Sequence, residues 1–493
     1  MTGWLELAVK SEEAERILMG LGRRFRAVAT AYVGMALLAA GAAVAQERQV
    51  PQSQDQMLLS FAPVVQSAAP AVVNIFTKRK VAQRNVLSPL FNDPFFKRFF
   101  GDQFGGQTRE RLQSSLGSGV IVSPDGVIVT NHHVIKGSHE ITVVLPDRRE
   151  FPAELVLSDE RTDLAILRID PRGEVLPVIE LRDSNDIEVG DLVLALGNPF
   201  GVGQTVTSGI VSALARTHVG IADFSFFIQT DAAINPGNSG GALVTMDGKL
   251  IGINTAIFSS GGGGSIGIGF AIPSNMVRTV IQGAETGRLV RAWTGFVGQN
   301  LTAELAEGLR LSRPGGVVVN RIFDGGPADL AGLETGDVIL SVNGQDVFDA
   351  ESLQFRVATQ PIGGDAEIEV SRDGERLALA MPLTEPPEVP ARNEILLEGT
   401  HPLAGAVVAS LSPALAEELD RPGAWDGVII VRVLRGSPAH RVRFRTGDIL
   451  LAVGDQEVSE STELDAQLRD QTGSEALQVT FSRDGQRRSV TFQ

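Results

Sequence analysis

Short apolar runs separated by turn-forming residues fill the first half of the chain. Between about residues 71 and 270 the runs are AVVNIF, GVIVSPDGVIVTN, ITVVLPD, DLAILRI, LVLALGNPFG and GALVTMDGKLIGI. Runs of about four to eight residues rich in valine and isoleucine, bounded by glycine, proline, asparagine and aspartate, are typical of antiparallel strands. The pattern therefore predicts a mainly β fold whose strands close into barrels or pack as a sandwich.

The last third of the chain contains an internal repeat. GGVVVNRI at Gly315 matches DGVIIVRV at Asp426, and two further blocks match, PADLAGLETGDVILSVNGQDV with PAHRVRFRTGDILLAVGDQEV and SRDG with SRDG. All three matches share an offset of 111 residues, which predicts two consecutive copies of one domain. The proline-rich TEPPEVPARNE at residues 384–394 lies between the copies and predicts a stiff, extended linker.

A basic and then apolar segment precedes the predicted strands. GRRFR is followed by AVATAYVGMALLAAGAAVA, which ends in Ala43-Val44-Ala45, and this order is typical of a secretory signal peptide. Residues 1–45 are therefore predicted to be a signal peptide, and the long polar lead before it suggests that synthesis starts at Met19. The alternative is an uncleaved membrane anchor, because the apolar run approaches the roughly 20 residues needed to span a bilayer.

A long connection at about residues 86–116 separates the first two predicted strands. Its phenylalanines recur at spacings of four, which predicts a helix that packs them on its own domain. If the rings are exposed instead, they indicate contact with another subunit or a lid. Both interpretations remain open for these six residues: Phe91, Phe95, Phe96, Phe99, Phe100 and Phe104.

Composition narrows the class of protein. At 493 residues the chain is long enough for about two to four domains, and its 43% hydrophobic content can fill their cores. The net charge of −16 argues against a nucleic-acid partner, because phosphate binding needs a concentrated basic surface. The chain contains no cysteine, which excludes disulfides, thiolate catalysis and cysteine-based zinc sites. We expect neither a cofactor nor a metal.

The stretch DAAINPGNSGGALV contains a candidate nucleophile, Ser239. Hydrolysis by serine needs a base, a carboxylate that orients the base and amide donors for the oxyanion. Of the six histidines, only His132 and His133 directly follow an apolar run, in GVIVTNHHVI. SDERTDLAIL places Asp163 at the start of another strand, with Asp159 as the weaker alternative. The order histidine, aspartate, serine is that of chymotrypsin-like enzymes, so the conjunction is far more specific than any of its parts.

The motifs TNHHVI, TDLAIL, GNPFG, TDAAINPGNSGGAL and GIGFAIPSN, followed by the two repeats, resemble the HtrA or DegP-type serine proteases with their PDZ domains. The resemblance covers nearly the whole mature chain. It implies a chymotrypsin-like double β-barrel protease domain at 46–285, a first PDZ domain at 286–385, a linker at 386–399 and a second PDZ domain at 400–493. The PDZ domains are expected to be α+β.

The resemblance also implies roles. His133 corresponds to the general base, Asp163 to its orienting partner and Ser239 to the nucleophile, while His132 has no catalytic assignment. The implied protein is a periplasmic endopeptidase that degrades misfolded proteins, assembles as a homotrimer or multiples of trimers, and binds C-terminal peptides through its PDZ domains. The alternative is a chaperone or peptide-binding scaffold whose triad is mostly held inactive.

Residues around the serine predict where a substrate binds. The backbone amides of Gly237 and Ser239, with Asn238 between them, are predicted to form the oxyanion hole. Uncharged positions upstream of the serine and in two later segments predict a small apolar pocket that prefers aliphatic side chains. The pocket is predicted at Ala233, Ile234, Phe258 and Ile266, with Ala232 beside them.

Glycines at the start of each repeat are predicted to leave amides open for a peptide carboxylate: Gly315 and Gly316 in the first copy and Gly427 in the second. In the second copy Asp426 replaces Gly315 and repels an incoming carboxylate, whereas Arg313 attracts one in the first copy. The first copy is therefore predicted to be the better reader of free C-termini.

Overall fold

The computed structural model describes residues 60–80, 112–198, 203–216, 226–235, 237–257, 267–309, 315–421, 423–470 and 476–492. The predicted signal peptide and residues 81–111 of the phenylalanine-rich connection lie outside the described residues. Ala62–Gln493 form one compact unit. Within the described residues, no helix is long and apolar enough to cross a membrane.

Six antiparallel strands close into a first barrel in the order β1-β2-β3-β6-β5-β4. Strand β3 is buried along its whole length and β6 at all but one position, so both strands contribute to the core of this barrel. Gly126 turns the chain between β2 and β3 with φ 96°, and a Cβ there would lie 2.2 Å from the Ile169 carbonyl oxygen. The elements are α1 (Ala62–Ala68), a 3-10 turn (Ala69–Ala71), β1 (Val72–Lys80), β2 (Leu112–Ile121), β3 (Val127–Thr130), α2 (His132–Ile135), β4 (Glu140–Val144), β5 (Glu150–Asp159) and β6 (Leu164–Ile169).

A second barrel closes in the order β10-β11-β12-β9-β8-β7. The helix that follows it, α3, contacts strands of both barrels, and its Met276, Val277 and Val280 are buried in the core cluster that the barrels share. The two closed barrels confirm the prediction of a mainly β, chymotrypsin-like fold. The elements are β7 (Leu192–Gly197), β8 (Thr205–Arg216), β9 (Phe227–Thr230), β10 (Ala242–Thr245), β11 (Leu250–Ile257), β12 (Gly269–Pro273) and α3 (Ser274–Thr286).

The two sequence repeats form two α+β modules. The first has sheet order β13-β14-β15-β17-β18, with β16 on β15. Its elements are β13 (Phe296–Asn300), α4 (Ala303–Gly308), β14 (Val317–Ile322), α5 (Pro327–Leu330), β15 (Val338–Val342), β16 (Gln345–Asp346), α6 (Ala350–Ala358), β17 (Asp365–Arg372) and β18 (Glu375–Pro382).

The second module has sheet order β19-β20-β21-β22-β24-β25, with β23 on β22. It therefore carries β19, an additional strand beyond β20, at the edge where the first module ends with β13. Its elements are β19 (Ile395–Leu396), β20 (Ala406–Ser410), α7 (Pro413–Glu418), β21 (Val428–Val433), α8 (Pro438–Arg441), β22 (Ile449–Val453), β23 (Gln456–Glu457), α9 (Ser461–Asp470), β24 (Leu477–Arg483) and β25 (Gln486–Phe492).

An ion pair between a partly exposed arginine and a buried aspartate explains why both copies contain TGD and SRDG. In the first module the Arg372 guanidinium donates two hydrogen bonds to the Asp337 carboxylate, at 2.8 and 2.7 Å. In the second module Arg483 donates to Asp448 in the same way, both at 2.6 Å. Such two-point pairing is strong and directional, so it fixes the β17 and β24 hairpins on the turns before β15 and β22.

Candidate active site

Two neighbouring strands of the first barrel bring His133 and Asp163 together. His133 lies in α2 just after β3, and Asp163 directly precedes β6, which pairs with β3. His133 Nδ1 lies 2.7 Å from Asp163 Oδ2, and the His133 amide donates to Oδ1 at 2.9 Å. The carboxylate therefore fixes both the ring and the backbone of His133.

Asp163 is buried, and its carboxylate accepts hydrogen bonds from His133 and Thr255. Its side chain is 10% exposed, and Thr255 Oγ1 of the second barrel donates to Oδ2 at 2.7 Å. The Asn131 side chain donates to its carbonyl at 3.0 Å and holds the residue at φ 57°. Burial acts to raise the pKa of Asp163, but the bonds and charge of His133, with the Thr255 bond, outweigh it and hold that pKa below its ordinary value. Asp163 is therefore ionised at neutral pH.

Ser239 lies in the turn between β9 and β10, against the first barrel. The Ser118 amide donates to the Ser239 carbonyl at 2.8 Å. Gly240, with φ 83°, must be glycine because a Cβ would lie 2.0 Å from the Ser118 carbonyl oxygen. Ser239 Oγ donates to the Thr255 carbonyl at 3.0 Å, and within the part of the chain that the structure describes it makes no hydrogen bond to His133. Thr255 thus contacts both Asp163 and Ser239.

The turn also presents backbone amides. The Asn238 amide donates to the Asn235 carbonyl at 2.9 Å, so it is not available to an oxyanion. The amides of Gly237 and Ser239 have no hydrogen-bond partner within the described residues. Ser118 Oγ donates to the Gly237 carbonyl at 2.6 Å and accepts from the Asn198 amide at 2.8 Å. Ser118 therefore orients the peptide group that follows Gly237.

The residues predicted for the substrate pocket divide into three groups. Ala232 and Ile234 are buried in the core of the second barrel, at 0% and 1% exposure. Ala233 is half-buried, and its carbonyl accepts from Thr207 Oγ1 at 2.8 Å. Phe258 and Ile266 lie outside the described residues. Of the predicted pocket residues that the structure describes, Ala233 is thus the one with substantial exposure.

The alternatives to the His133–Asp163 pair make other contacts. His132 Nδ1 lies 2.5 Å from Ser158 Oγ. The Asp159 carboxylate accepts hydrogen bonds from Thr162 and Arg291, so it is engaged away from His133. No group of three or more histidine, aspartate or glutamate side chains within the described ranges could hold a metal ion.

A groove lies between β13 and α6 of the first module. It is part of a cavity of about 760 Å³, and we call the part lined by Phe296, Leu353 and Val357 the β13 groove. Among the described strands, β13 pairs with β14 alone, which leaves its other edge open. The segment GFVG, residues 295–298, overlaps the start of β13 and is the sequence signal that could have located this edge.

Two of the three glycines predicted to bind a carboxylate lie where neighbouring strands approach closely. The Gly316 amide donates to the Phe348 carbonyl at 3.2 Å. A Cβ on Gly316 would lie 2.5 Å from the Ile339 carbonyl oxygen, and one on Gly427 would lie 2.6 Å from that of Leu450. Gly315 has open space around its Cβ position. The close approach of neighbouring strands explains Gly316 and Gly427 without a ligand.

Acyl transfer by a serine needs a base, a carboxylate behind that base and amide donors. The junction of the two barrels brings side chains and amides of these kinds together, and the class of protein is a chymotrypsin-type serine endopeptidase. Residues 117–253 match the trypsin-like peptidase domain family, and residues 265–383 and 405–493 match the PDZ domain family. The two modules are thus PDZ domains, as predicted.

Relatives match over almost the whole chain. A probable periplasmic serine endoprotease, DegP-like, from Pseudomonas savastanoi pv. phaseolicola is 37% identical over 467 residues, which is 92% of this chain and 96% of the relative. A protein of the same description from Chlamydia pneumoniae is 37% identical over 485 residues, 94% of this chain and 97% of the relative. The solved structure of the HtrA-type protease AlgW with decapeptide is 46% identical and covers 67% of this chain and 99% of its own, with a TM-score of 0.48. This chain belongs to the family of DegP-like serine endoproteases.

Proposed function

We propose that His133, Asp163 and Ser239 form the catalytic triad of this endopeptidase. The observation that carries the proposal is the 2.7 Å contact between His133 Nδ1 and the buried carboxylate of Asp163. That contact keeps a proton on Nδ1 and leaves Nε2 as the basic nitrogen. The Ser239 turn, held to the first barrel by Ser118, supports the assignment of the nucleophile.

In the proposed mechanism the Ser239 hydroxyl turns from the Thr255 carbonyl toward His133. His133 Nε2 takes its proton while Oγ attacks the scissile carbonyl, and the amides of Gly237 and Ser239 receive the oxyanion. His133 then protonates the leaving amine, and water hydrolyses the acyl-enzyme by the same steps. Asp163 stays ionised throughout and stabilises the imidazolium, which agrees with its lowered pKa.

The proposed substrates are unfolded or damaged proteins with exposed aliphatic side chains. The half-buried, uncharged Ala233 beside the Ser239 turn supports this preference. The domain limits proposed from the sequence are 46–285 for the protease and 286–385 and 400–493 for the PDZ domains, and the proposed assembly is a homotrimer or multiples of trimers.

The open edge of β13 and the apolar lining of its groove support binding of a C-terminal peptide by strand addition. The predicted signal peptide and the periplasmic names of the relatives support a periplasmic location.

The test is degradation of an unfolded protein by the mature chain and its variants. We expect Ser239→Ala, His133→Ala and Asp163→Ala each to lose activity by about a thousandfold or more, because triad members act as a unit. His132→Ala, the adjacent histidine, serves as the matched control and retains activity. Substantial turnover by His133→Ala would contradict the assignment.

The second candidate is a chaperone or peptide-binding scaffold whose triad is held inactive. The observation in its favour is that Ser239 Oγ donates to the Thr255 carbonyl and not to His133. In that case the wild-type chain suppresses aggregation of an unfolded protein as well as Ser239→Ala does and cleaves none of it. Turnover by the wild type alone decides for the endopeptidase.

A further inference from the structure

The edge of the second PDZ sheet is occupied by the chain's own linker. Strand β19 pairs antiparallel with β20, with Ile395 opposite Val408 and Leu396 opposite Val407. The contact extends beyond β19, since the Ser410 amide donates to the Arg392 carbonyl at 2.7 Å. β20 is the counterpart of β13, because each pairs antiparallel with the first strand of its repeat. Among the described strands, β13 has no such neighbour.

The linker segment also contacts the helix of the groove. Helix α9, which corresponds to α6 at the repeat offset, contacts both β19 and β20. Ser461 Oγ at the start of α9 donates to the Asn393 carbonyl at 2.6 Å. Leu397 is fully buried in the core cluster that also contains Leu464 and Leu468 of α9. The segment therefore fills the space that remains open as the β13 groove in the first PDZ domain.

Leu397, at the end of the segment, makes the contacts expected of the last residue of a bound C-terminal peptide. In strand addition to a PDZ sheet, an amide ahead of the acceptor strand binds the terminal carboxylate, and the last side chain enters an apolar pocket. Here Gly405, just before β20, donates its amide to the Leu397 carbonyl at 2.8 Å, and the Leu397 amide donates to the Ala406 carbonyl at 2.9 Å. The Leu397 carbonyl stands where a carboxylate oxygen would stand.

We propose that residues 392–397 are an internal ligand of the second PDZ domain, so that this domain is closed to external C-terminal peptides and the first domain alone reads them. A short connection joins the segment to β20, which gives it an effective concentration of about millimolar or more. An external peptide must displace it. The proposal does not depend on the triad assignment.

Asp426 of the second PDZ domain is paired with an arginine of the first. The Asp426 carboxylate accepts a hydrogen bond from Arg321 of the first PDZ domain at 3.0 Å, so its charge is compensated. Arg321 also lies over the Trp425 ring, 4.5 Å from its centroid. The filled groove, and not repulsion by Asp426, is the physical reason to expect unequal peptide binding by the two domains.

The test counts binding sites on the full chain carrying Ser239→Ala, so that neither protein nor probe is cleaved. The probe is a synthetic hexapeptide with the sequence of residues 392–397 and a free C-terminal carboxylate, titrated by calorimetry. The parent chain should bind at most one peptide. Leu397→Asn places an amide in the apolar pocket, releases the segment and should add one site per chain. Leu396→Asn, at the neighbouring and 40% exposed position, is the matched control and should add none.

A reversible disulfide distinguishes release of the linker segment from unfolding of the second PDZ domain. Because the Leu397 amide donates to the carbonyl of Ala406, the residue opposite it, Leu396 and Val407 occupy the adjacent non-hydrogen-bonded position, where Cα atoms are about 4.5 Å apart and suit a disulfide. The chain has no other cysteine. In Leu397→Asn with Leu396→Cys and Val407→Cys, the additional site should be present after reduction and absent after oxidation. Two sites in the parent chain, no additional site after reduction, or an additional site that oxidation does not remove would each overturn the proposal.

Discussion

Thr255 supports the proposed triad from the opposite barrel, and its hydroxyl can be removed with little change of shape. Thr255 is buried, and its Oγ1 donates to Asp163 Oδ2 at 2.7 Å. Valine at this position keeps the volume and leaves the buried carboxylate with one donor fewer. A hydrogen bond to a charged group is worth about 1.5–3 kcal/mol. We therefore expect Thr255→Val to lower the free energy of unfolding of the barrels by about that amount at neutral pH.

The penalty should depend on pH in a defined direction. The pKa of Asp163 is lowered in the folded chain, with the Thr255 bond as one cause, so losing the bond raises that pKa. A carboxylate with a lowered folded pKa stabilises the fold above its unfolded pKa, and this contribution is lost as pH falls through the folded pKa. The cost of Thr255→Val should thus be constant from about pH 7 to 5 and shrink at lower pH, where the carboxyl is protonated in both proteins.

The assay is urea unfolding followed by circular dichroism between pH 7 and 3, in a Ser239→Ala background that prevents self-digestion. Thr130→Val is the matched control. Thr130 is also buried, and its Oγ1 donates at 2.7 Å to the Ser118 carbonyl, which carries no charge. Its cost should not change with pH. A Thr255→Val penalty as constant as that of Thr130→Val would refute the reasoning and attribute the loss to packing.

Two further predictions concern catalysis of a short peptide that does not reach the PDZ domains. Arg161, on the loop that carries Asp163, donates to the Asp420 carboxylate and the Glu417 carbonyl of the second PDZ domain, at 2.9 and 3.0 Å. Arg161→Ala and Asp420→Asn should each lower kcat by about threefold or more. The double variant should be no worse than Arg161→Ala, because Asp420→Asn weakens a contact that Arg161→Ala already removes. Losses that multiply in the double variant would rule out this shared contact. Ser118→Ala removes the hydrogen bond to the Gly237 carbonyl. It should lower kcat by about tenfold with little change in KM, since the proposed oxyanion donors lose their orientation. An unchanged kcat would show that the Ser239 turn keeps its conformation without Ser118.

The fold class and the candidate triad could be predicted because their signals are local. Alternating apolar runs predict strands, and His133, Asp163 and Ser239 each lie in a short motif beside such a run. The role of Thr255 could not be predicted in this way. It is 92 residues from Asp163 in the chain, and the contact exists only because two barrels pack at a particular angle.

The PDZ domains show the same limit. The shared offset identified both copies, but it begins at Gly315 and thus misses β13 and β20, which precede the matching blocks. Ile234 was predicted to line a pocket because it is apolar and close to the serine, yet it faces the core of its barrel. Apolar character alone does not distinguish a pocket wall from a core position: Ala233 is half-buried, whereas its apolar neighbours Ala232 and Ile234 are buried in the core.

The residues proposed for catalysis are divided between two separately closed barrels. His133 and Asp163 belong to the first, whereas Ser239 and Thr255 belong to the second, and backbone bonds such as that from the Ser118 amide to the Ser239 carbonyl join them. On the proposed assignment, a chain emerging from synthesis has no hydrolytic centre until both barrels have folded and docked. A damaged chain loses that centre as soon as the halves separate. Peptide hydrolysis by this chain therefore requires that both of its own barrels are folded and docked.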